Sequence, residues 1–434
     1  MPPLPQPTIR RPRSRRGTSI TALSLAALTL TLAACASPAD TAGETASEGT
    51  RGHGYVEGAA ELPEPQLHLA TADTDGTVRL LDLLSEQRST VATLGPLSAL
   101  SGAGRFVAAQ SEPPGTVTVV DTGVWTVDHE DHQHYYRADA RVVGTVEGQG
   151  AATIVEGSVI TTVRFADSGE TILLDTAALG TGEVDETGRI AAVSGSPGVA
   201  VPIGETIAAT GAGGSLVLSG TDGEPLDAAS SSVVAANAIL GGCTAAAGAI
   251  TTNVGVVIGC AEGALLAVVD RSASDADPAP SFEAIPYPQA VDETDRATSF
   301  HARPGRPTVA AVAGTTGAWL LDTRERSWSL LPTPSPLQLV AAVDDRDHHV
   351  VALATDGSVL VLDGTTGAVT GATAPIVTPA DLQSGVQLEV DQNRAYLNSP
   401  TARTVSEIDY GDAARIARTF DFDTEPAFLA ETGR

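Results

Sequence analysis

The 434-residue chain contains no lysine, and its single methionine is Met1. Without lysine, Schiff-base catalysis and a Walker-type phosphate loop are both excluded. Without internal methionine, a copper site built on thioether ligands is excluded. The sequence also has no G-x-S-x-G motif, no dinucleotide-binding fingerprint and no paired nucleophile and base, so we expect a protein that is not an enzyme.

Basic residues are few. The chain has 25 arginines against 53 acidic residues, a formal charge of −28. Without the first 34 residues, which contain five arginines and no acid, the charge becomes −33. This balance argues against a nucleic-acid partner. An acidic surface raises the local concentration of cations, although solubility alone is a sufficient explanation.

The N-terminus has the pattern of an export signal. Five arginines between Arg10 and Arg16 precede an apolar run, Ile20 to Leu32, that is short for a membrane span. The run ends in Leu-Ala-Ala-Cys35, which resembles the lipobox of bacterial lipoproteins, whose cysteine carries the acyl chains. We predict a lipoprotein signal peptide over 1–34 with Cys35 as the lipidation site. An ordinary secretory signal is the alternative, and both place the protein outside the cytoplasm, with the lipid anchor as its one membrane contact.

The next segment, 35–65, is rich in Ala, Thr, Glu, Gly and Pro and has almost no large apolar residue, which predicts a flexible tether. The body over 66–434 repeats a short strand, a Gly-containing turn and a second strand that ends in Asp, which is a β-hairpin pattern. The clearest copies are His68–Asp82, Phe106–Asp121, Thr308–Asp322 and Val350–Asp363, and weaker ones end near Asp175, Gly220, Asp270 and Asp409.

These eight units are spaced about 39 to 54 residues apart, the length of a propeller blade. Radial repetition covers the edges and faces that a single four-stranded sheet leaves exposed. We therefore predict an all-β fold, a β-propeller of eight blades. Seven blades is the alternative, in which the strand near Phe420–Phe422 completes the blade begun at the N-terminus. The tail, Thr424–Arg434, is expected to pack across that seam.

The body contains two cysteines, Cys243 and Cys260, each next to glycine in a β-like segment. In an oxidising compartment we expect a disulfide that joins neighbouring strands. A thiolate metal site is the alternative. The body is expected to be a monomer.

The most concentrated chemistry lies in one insertion that follows a strand of the second unit. Its histidines, His129, His132 and His134, occur within six residues and alternate with Asp128, Glu130 and Asp131. Imidazole and carboxylate are typical Zn²⁺ ligands, and no soft ligand favours copper. Three ligands from one loop leave a fourth position for a body residue or for water, so we predict an open zinc site. A solvated acidic loop is the alternative.

Other histidines are weaker candidates. His301 lies where a new blade begins, near the predicted central channel, and is the best candidate for a body ligand, with a backbone-bonded histidine as the alternative. His53 falls in the tether and is a candidate transient ligand. His348 and His349 follow Asp344, Asp345 and Asp347 in a predicted hairpin turn, and His68 alternates with apolar residues in a strand, which indicates a structural role.

Several of these segments resemble the AztD family of periplasmic zinc metallochaperones. The resemblance rests on Trp125–Glu147 (WTVDHEDHQHYYRADARVVGTVE), Gly54–Ala59, Cys260–Gly263 with the upstream Cys243, and the ending Ala427–Gly433. The family implies a β-propeller that binds zinc through the histidine loop and body residues, and that delivers it to the solute-binding protein of a zinc ABC importer. This chain departs from the family by having no histidine in Thr244–Gly248 or in Gly150–Val163, which leaves the loop and His301 as ligands.

The sequence thus predicts an extracytoplasmic zinc metallochaperone. Its ligands are His129, His132, His134, His301 and Asp128, and loading should fail below about pH 6.5, because imidazole must be unprotonated to bind metal. The alternative is a lipoprotein propeller scaffold that binds a protein or a cell-wall ligand.

Overall fold

The structure is a computed structural model that describes residues 56, 58–128, 132–191, 198–211, 214–227, 231–269 and 280–434. Contacts divide the chain into Met1–Gly52 and a compact unit, His53–Arg434, and only the second contains described residues. The predicted signal peptide, Cys35 and His53 therefore lie outside the described residues. Among the described residues, no helix is long and apolar enough to cross a membrane.

The body consists of consecutive antiparallel sheets, in which most strands pair with a neighbour along the chain. The first sheet contains β2 (His68–Ala72), β3 (Thr77–Asp82) and β4 (Arg88–Thr93), joined by the last strand of the chain, β33 (Phe428–Thr432). The second contains β5 (Leu97–Ala103), β6 (Phe106–Ser111), β7 (Thr116–Asp121) and β10 (Arg141–Glu147). The third contains β11 (Ala152–Val155), β12 (Ile160–Phe165), β13 (Thr171–Asp175) and β14 (Glu186–Ile190). The fourth contains β15 (Ala200–Ile203), β16 (Thr206–Thr210) and β17 (Leu216–Ser219).

The remaining four sheets follow in the same way. The fifth contains β18 (Ala249–Thr251), β19 (Val256–Cys260), β20 (Gly263–Val268) and β21 (Ser281–Pro286). The sixth contains β22 (Thr308–Ala313), β23 (Gly317–Asp322) and β24 (Ser327–Pro332). The seventh contains β25 (Leu337–Ala342), β26 (His349–Ala354), β27 (Val359–Asp363) and β28 (Val369–Ala372). The eighth contains β29 (Leu388–Val390), β30 (Ala395–Ser399), β31 (Thr404–Asp409) and β32 (Arg415–Asp421).

Helices are short in this fold. The α-helices of the described residues are α1 (Thr176–Thr181), α2 (Ser231–Leu240) and α3 (Pro379–Ser384), with 3₁₀ turns at Glu293–Asp295 and Tyr410–Asp412.

The first strands of the sheets surround a central axis: β33 contacts both β5 and β29, and β25 contacts β29. The fold is a β-propeller, as predicted, with apolar side chains buried between adjacent sheets.

The predicted hairpins are confirmed, and the repeated Asp has a structural explanation. It ends the third strand of a sheet and accepts hydrogen bonds from backbone N–H groups two and three residues later, as in an Asx turn. Asp82 Oδ1 accepts from Leu84 and Ser85 at 2.8 and 3.1 Å, and Asp363 Oδ1 accepts from Thr365 and Thr366 at 2.8 and 2.9 Å. The sequence repeat thus marks the turn between the third and fourth strands.

The last strand, Phe428–Thr432, closes the ring. The sequence analysis had instead considered Phe420–Phe422 for this role. Phe420 belongs to β32, which pairs with β31, whereas Phe428–Thr432 pairs with β2 over five residues. The tail therefore spans the seam between the chain ends. Eight such sheets occur among the described residues, but 192–197, 212–213, 228–230 and 270–279 are not described, and the count of eight blades stays a prediction.

The two body cysteines form a disulfide with Cα atoms 5.1 Å apart. The sequence predicted a disulfide between two neighbouring strands, but only one of the two cysteines lies in a strand. Cys260 ends β19, but Cys243 lies in the turn after α2, where its backbone N–H donates to Leu240. The disulfide therefore fastens the α2 segment to the fifth sheet.

Candidate metal centre

The histidine loop forms a hairpin between the third and fourth strands of the second sheet. Its strands are β8 (Val124–Asp128) and β9 (Gln133–Arg137), with Val127 opposite His134. A third strand, β1 (Ala60–Leu62), pairs with the other edge of β9. Residues 60–62 lie in the segment predicted to be a tether, yet they complete a three-stranded sheet with the hairpin.

The structure brings two of the predicted ligands together. The Nε2 atoms of His132 and His134 lie 3.0 Å apart. Two imidazole nitrogens bound to one tetrahedral Zn²⁺ at 2.0–2.1 Å would be separated by about 3.3 Å. The two rings therefore need only a small outward shift to share a zinc ion through these atoms.

The other ring nitrogen of His134 faces a carboxylate. His134 Nδ1 lies 2.6 Å from Oε1 of Glu61, on β1. A carboxylate in this position favours the tautomer with hydrogen on Nδ1 and leaves the Nε2 lone pair for a metal. Glu61 was not predicted, and its only local signal is its place in an acidic segment.

An aromatic stack holds His134 in place. The ring of Tyr136 lies between those of His134 and Trp125, with centroid distances of 6.2 and 5.2 Å and interplanar angles of 24° and 20°. The guanidinium of Arg105 lies over the ring of Trp125, 3.8 Å from its centroid, and bonds to Asp121 through two nitrogens. His134 is therefore buried and oriented, whereas His132 is exposed.

An ion pair fastens the hairpin to the first sheet. Arg137, at the end of β9, donates to Oδ2 of Asp82 at 2.6 Å, close to His68. Burial alone would raise the pKa of Asp82, but hydrogen bonds from Ser85, Arg137 and Leu84 lower it to about 2. Burial lowers the pKa of His68, whose structural role stays a prediction. The small sheet is thus attached through a charged contact with a buried aspartate.

The hairpin lies at one end of the propeller, here named the histidine face. This is the end that carries the loops following the first and third strands of each sheet. Thr126, on β8, donates to the carbonyl of Gly433 at 2.8 Å, directly after the central strand β33. The candidate centre therefore lies beside the mouth of the central channel.

His301 lies between the sixth and seventh sheets, where its carbonyl accepts from the N–H of Ala342. It pairs with Ala310 of β22, so its segment takes the place of a first strand in the sixth sheet. Its Nε2 atom lies 2.9 Å from Ser299 Oγ, beside a cavity of about 170 Å³, and burial lowers its pKa. Among the described residues, no metal-sized cluster joins His301 to His132 and His134. Its role as a body ligand stays a prediction.

Three carboxylates on or directly after the first strands of three sheets are also buried: Glu156 follows β11, Glu389 lies on β29 and Glu431 on β33. Burial raises the pKa of Glu156 and of Glu389 to about 8 and that of Glu431 to about 7. Glu431 accepts a hydrogen bond from Arg434 at 2.9 Å. Glu156 Oε2 is buried without a hydrogen-bond partner among the described residues. Burial therefore makes these three carboxyl groups bind a proton at a higher pH than exposed carboxyl groups do.

A second group of possible ligands lies between β25 and β26 on the same face. Single ligand atoms of Asp345, Asp347 and His349 lie within 4.8 Å of one another, the one such group among the described residues. His349 Nδ1 is 2.6 Å from Asp345 Oδ2. The sequence analysis interpreted this segment as a turn, and the positive φ angles of Asp344 (51°) and His348 (55°) agree with that.

The remaining predicted ligands are not tested by the structure. His129 lies outside the described residues, and for Asp128 the structure describes the backbone, which ends β8. The loop acids Glu130 and Asp131, which were not predicted as ligands, also lie outside the described residues.

Comparison with known proteins supports the fold. No family model matches the chain, and no curated protein sequence matches it. Two solved structures of AztD from Citrobacter koseri, one of them the apo form, are each similar with a TM-score of 0.68 and 18% identity. Each match covers 85% of this chain and 98% of the other. At this identity the similarity shows a shared propeller fold, as the family resemblance predicted.

Proposed function

We propose that this protein is an extracytoplasmic zinc carrier that delivers Zn²⁺ to the solute-binding protein of an ABC importer. The observation that carries the proposal is the His132–His134 pair, with its nitrogens near zinc-ligand spacing and Glu61 behind His134. Metal-binding histidines commonly have such a carboxylate on the second nitrogen. The AztD-like fold, and the family resemblance of the hairpin segment, support the same function.

Zinc would be cargo held by a small set of protein ligands. His132 and His134 supply two, His129 and Asp128 are candidates for the others, and a partner's ligands would replace them one at a time. Because the hairpin lies at the surface, beside the channel mouth, a second protein can approach it. We propose a carrier and not an enzyme.

The cellular location belongs to the same proposal. The Cys243–Cys260 disulfide is typical of an oxidising compartment. Together with the signal-like N-terminus, it supports export and anchoring through Cys35. Cell fractionation tests the anchor: the C35S variant should move from the membrane fraction to the soluble extracytoplasmic fraction, and unchanged membrane association would refute lipidation at Cys35.

Zinc titration against a fluorescent chelator tests the binding site. The chain from residue 36 should bind about one zinc tightly, and the H129A/H132A/H134A variant should lose this binding. A matched variant, H53A/H348A/H349A, removes three histidines elsewhere and should bind as the wild type does. Loss in the matched variant alone would place the metal on one or more of those three histidines and not in the hairpin. Absence of binding in the wild type would leave the scaffold alternative.

Delivery needs a separate test. Zinc-loaded protein is mixed with a metal-free zinc solute-binding protein in the presence of excess chelator, and the metal content of each protein is measured. Transfer that is faster than zinc release to the chelator alone supports direct exchange. Equal rates would mean that the metal passes through solution.

A further inference from the structure

A cleft on the histidine face, away from the hairpin, is lined by an unusual number of arginines. It has a volume of about 440 Å³ and is formed by loops of the sixth, seventh and eighth sheets. We name it the arginine cleft, and its lining residues are Arg303, Arg306, Arg324, Asp344, Asp345, Arg346, His348, Gln392 and Asn393. Four of the 25 arginines of a strongly acidic chain therefore line one concave site.

The two aspartates of the cleft are already engaged. Asp344 is buried and pairs with Arg306 and Arg324, with nitrogen–oxygen distances of 2.8 and 3.0 Å. Asp345 is bound by His349, whose ring nitrogen lies 2.6 Å away. Asp344 thus pairs with two of the four arginines of the cleft, Arg306 and Arg324, whereas Asp345 contacts a histidine and pairs with no arginine among the described residues.

Arg303 and Arg346 are the other two arginines of the cleft. Within the described part of the chain, neither guanidinium forms a hydrogen bond or an ion pair. Arg303 is half-buried, and burial, together with the neighbouring charges of Arg306 and Arg434, lowers its pKa. A charged group removed from water without a partner costs free energy, which an anionic ligand would recover.

We propose that the arginine cleft binds a small anion with two or more carboxylates. Guanidinium groups match planar carboxylates through paired N–H donors. Phosphate sites commonly add backbone N–H groups at a helix N-terminus, and the lining residues here lie in loops between strands. The volume lies within the range of small-molecule sites, and the side-chain amides of Gln392 and Asn393 offer further donors at the rim.

Calorimetric titration of the zinc-free chain from residue 36 with tricarballylate, a tricarboxylate, tests the proposal. We expect saturable binding to one site that weakens as NaCl increases, because exposed charges are screened by salt. The R303Q/R346Q variant should bind roughly tenfold or more weakly. R346Q alone, at an exposed position, should also weaken binding without changing thermal unfolding. A matched variant, R189Q/R415Q, loses the same charge outside the cleft and should bind as the wild type does.

Two further probes define the ligand. Inorganic phosphate should bind more weakly than tricarballylate, and binding of phosphate alone would overturn the carboxylate assignment. A tri-glutamate peptide that binds more tightly than tricarballylate would overturn the small-molecule assignment in favour of an acidic protein partner. Absence of saturable binding, or equal loss in R303Q/R346Q and R189Q/R415Q, would refute a site in this cleft. None of these outcomes depends on zinc binding, so the result is independent of the proposed function.

Discussion

Replacement of Glu61 by glutamine tests whether the His132–His134 pair is a zinc site with a supporting carboxylate. The 2.6 Å contact between Glu61 and His134 Nδ1 is short, as expected of a charge-assisted hydrogen bond. The glutamine side chain of the variant could still accept a hydrogen bond from Nδ1–H, but it would carry no charge. The zinc-bound imidazole would then have a less basic nitrogen and a less fixed ring.

The expected loss of zinc affinity in E61Q depends on the contact between Glu61 and His134 and on the solvent exposure of the Glu61 side chain. Loss of such supporting partners commonly reduces metal affinity about 10- to 100-fold, or about 1.4 to 2.7 kcal/mol. The side chain of Glu61 is 47% exposed, so solvent screens part of its charge. We therefore expect E61Q to bind zinc about tenfold more weakly at neutral pH. Truncation to alanine, which removes the acceptor as well, should cost more.

Competition with a zinc-sensitive chelator measures the change, and E64Q is the matched control. Glu64 is an exposed acid three residues away, and the same substitution there changes the net charge equally. Equal affinity of E61Q and wild type, or an equal loss in E64Q, would show that Glu61 does not support a metal ligand. Unchanged thermal unfolding of E61Q would exclude loss of β1 as the cause.

Three further changes have defined outcomes. R137A removes the ion pair with buried Asp82, so the hairpin should become more sensitive to limited proteolysis and bind zinc more weakly, and unchanged cleavage would contradict its anchoring role. The pKa of Glu389, raised to about 8, lies above that of an unfolded carboxyl, so wild-type stability should fall as pH rises from about 4.5 to 8. E389Q should therefore melt at a higher temperature than the wild type at pH 8.5 but not at pH 4.5, and an equal difference at both pH values would refute the titration. C243A/C260A should lower the free energy of unfolding in denaturant by about 3 kcal/mol, with no further loss on adding reductant, and wild-type stability in this variant would refute a stabilising disulfide.

The propeller was predictable because its signals are local. Each hairpin combines strand residues with a turn of a few residues, and the terminal Asp bonds to the backbone two or three residues later. Pairing between distant segments has no such signal. Closure by Phe428–Thr432 and not by Phe420–Phe422 depends on contacts with β2, more than 350 residues away in the chain.

In the candidate site, contacts between residues close in the sequence were predictable, and contacts between distant segments were not. His132 and His134 are two residues apart, so their proximity follows from sequence spacing. Glu61 is 73 residues from His134 and lies in a segment with a disorder-like composition, and only the pairing of β1 with β9 brings it to the ring. The group Asp345, Asp347 and His349 was visible as a sequence cluster, but the convergence of its ligand atoms depends on the turn between β25 and β26.

The two histidines of the pair differ in a way that bears on metal exchange. His134 is buried, stacked on Tyr136 and bonded to Glu61, so its ring orientation is constrained from two sides. His132 is exposed and lies just before β9, outside the strand. A ligand that is exposed and outside the sheet can move away at lower cost than one held by a stack and a carboxylate. In a carrier built this way, an incoming ligand would displace His132 first and His134 later, so that zinc leaves through the exposed side of the hairpin.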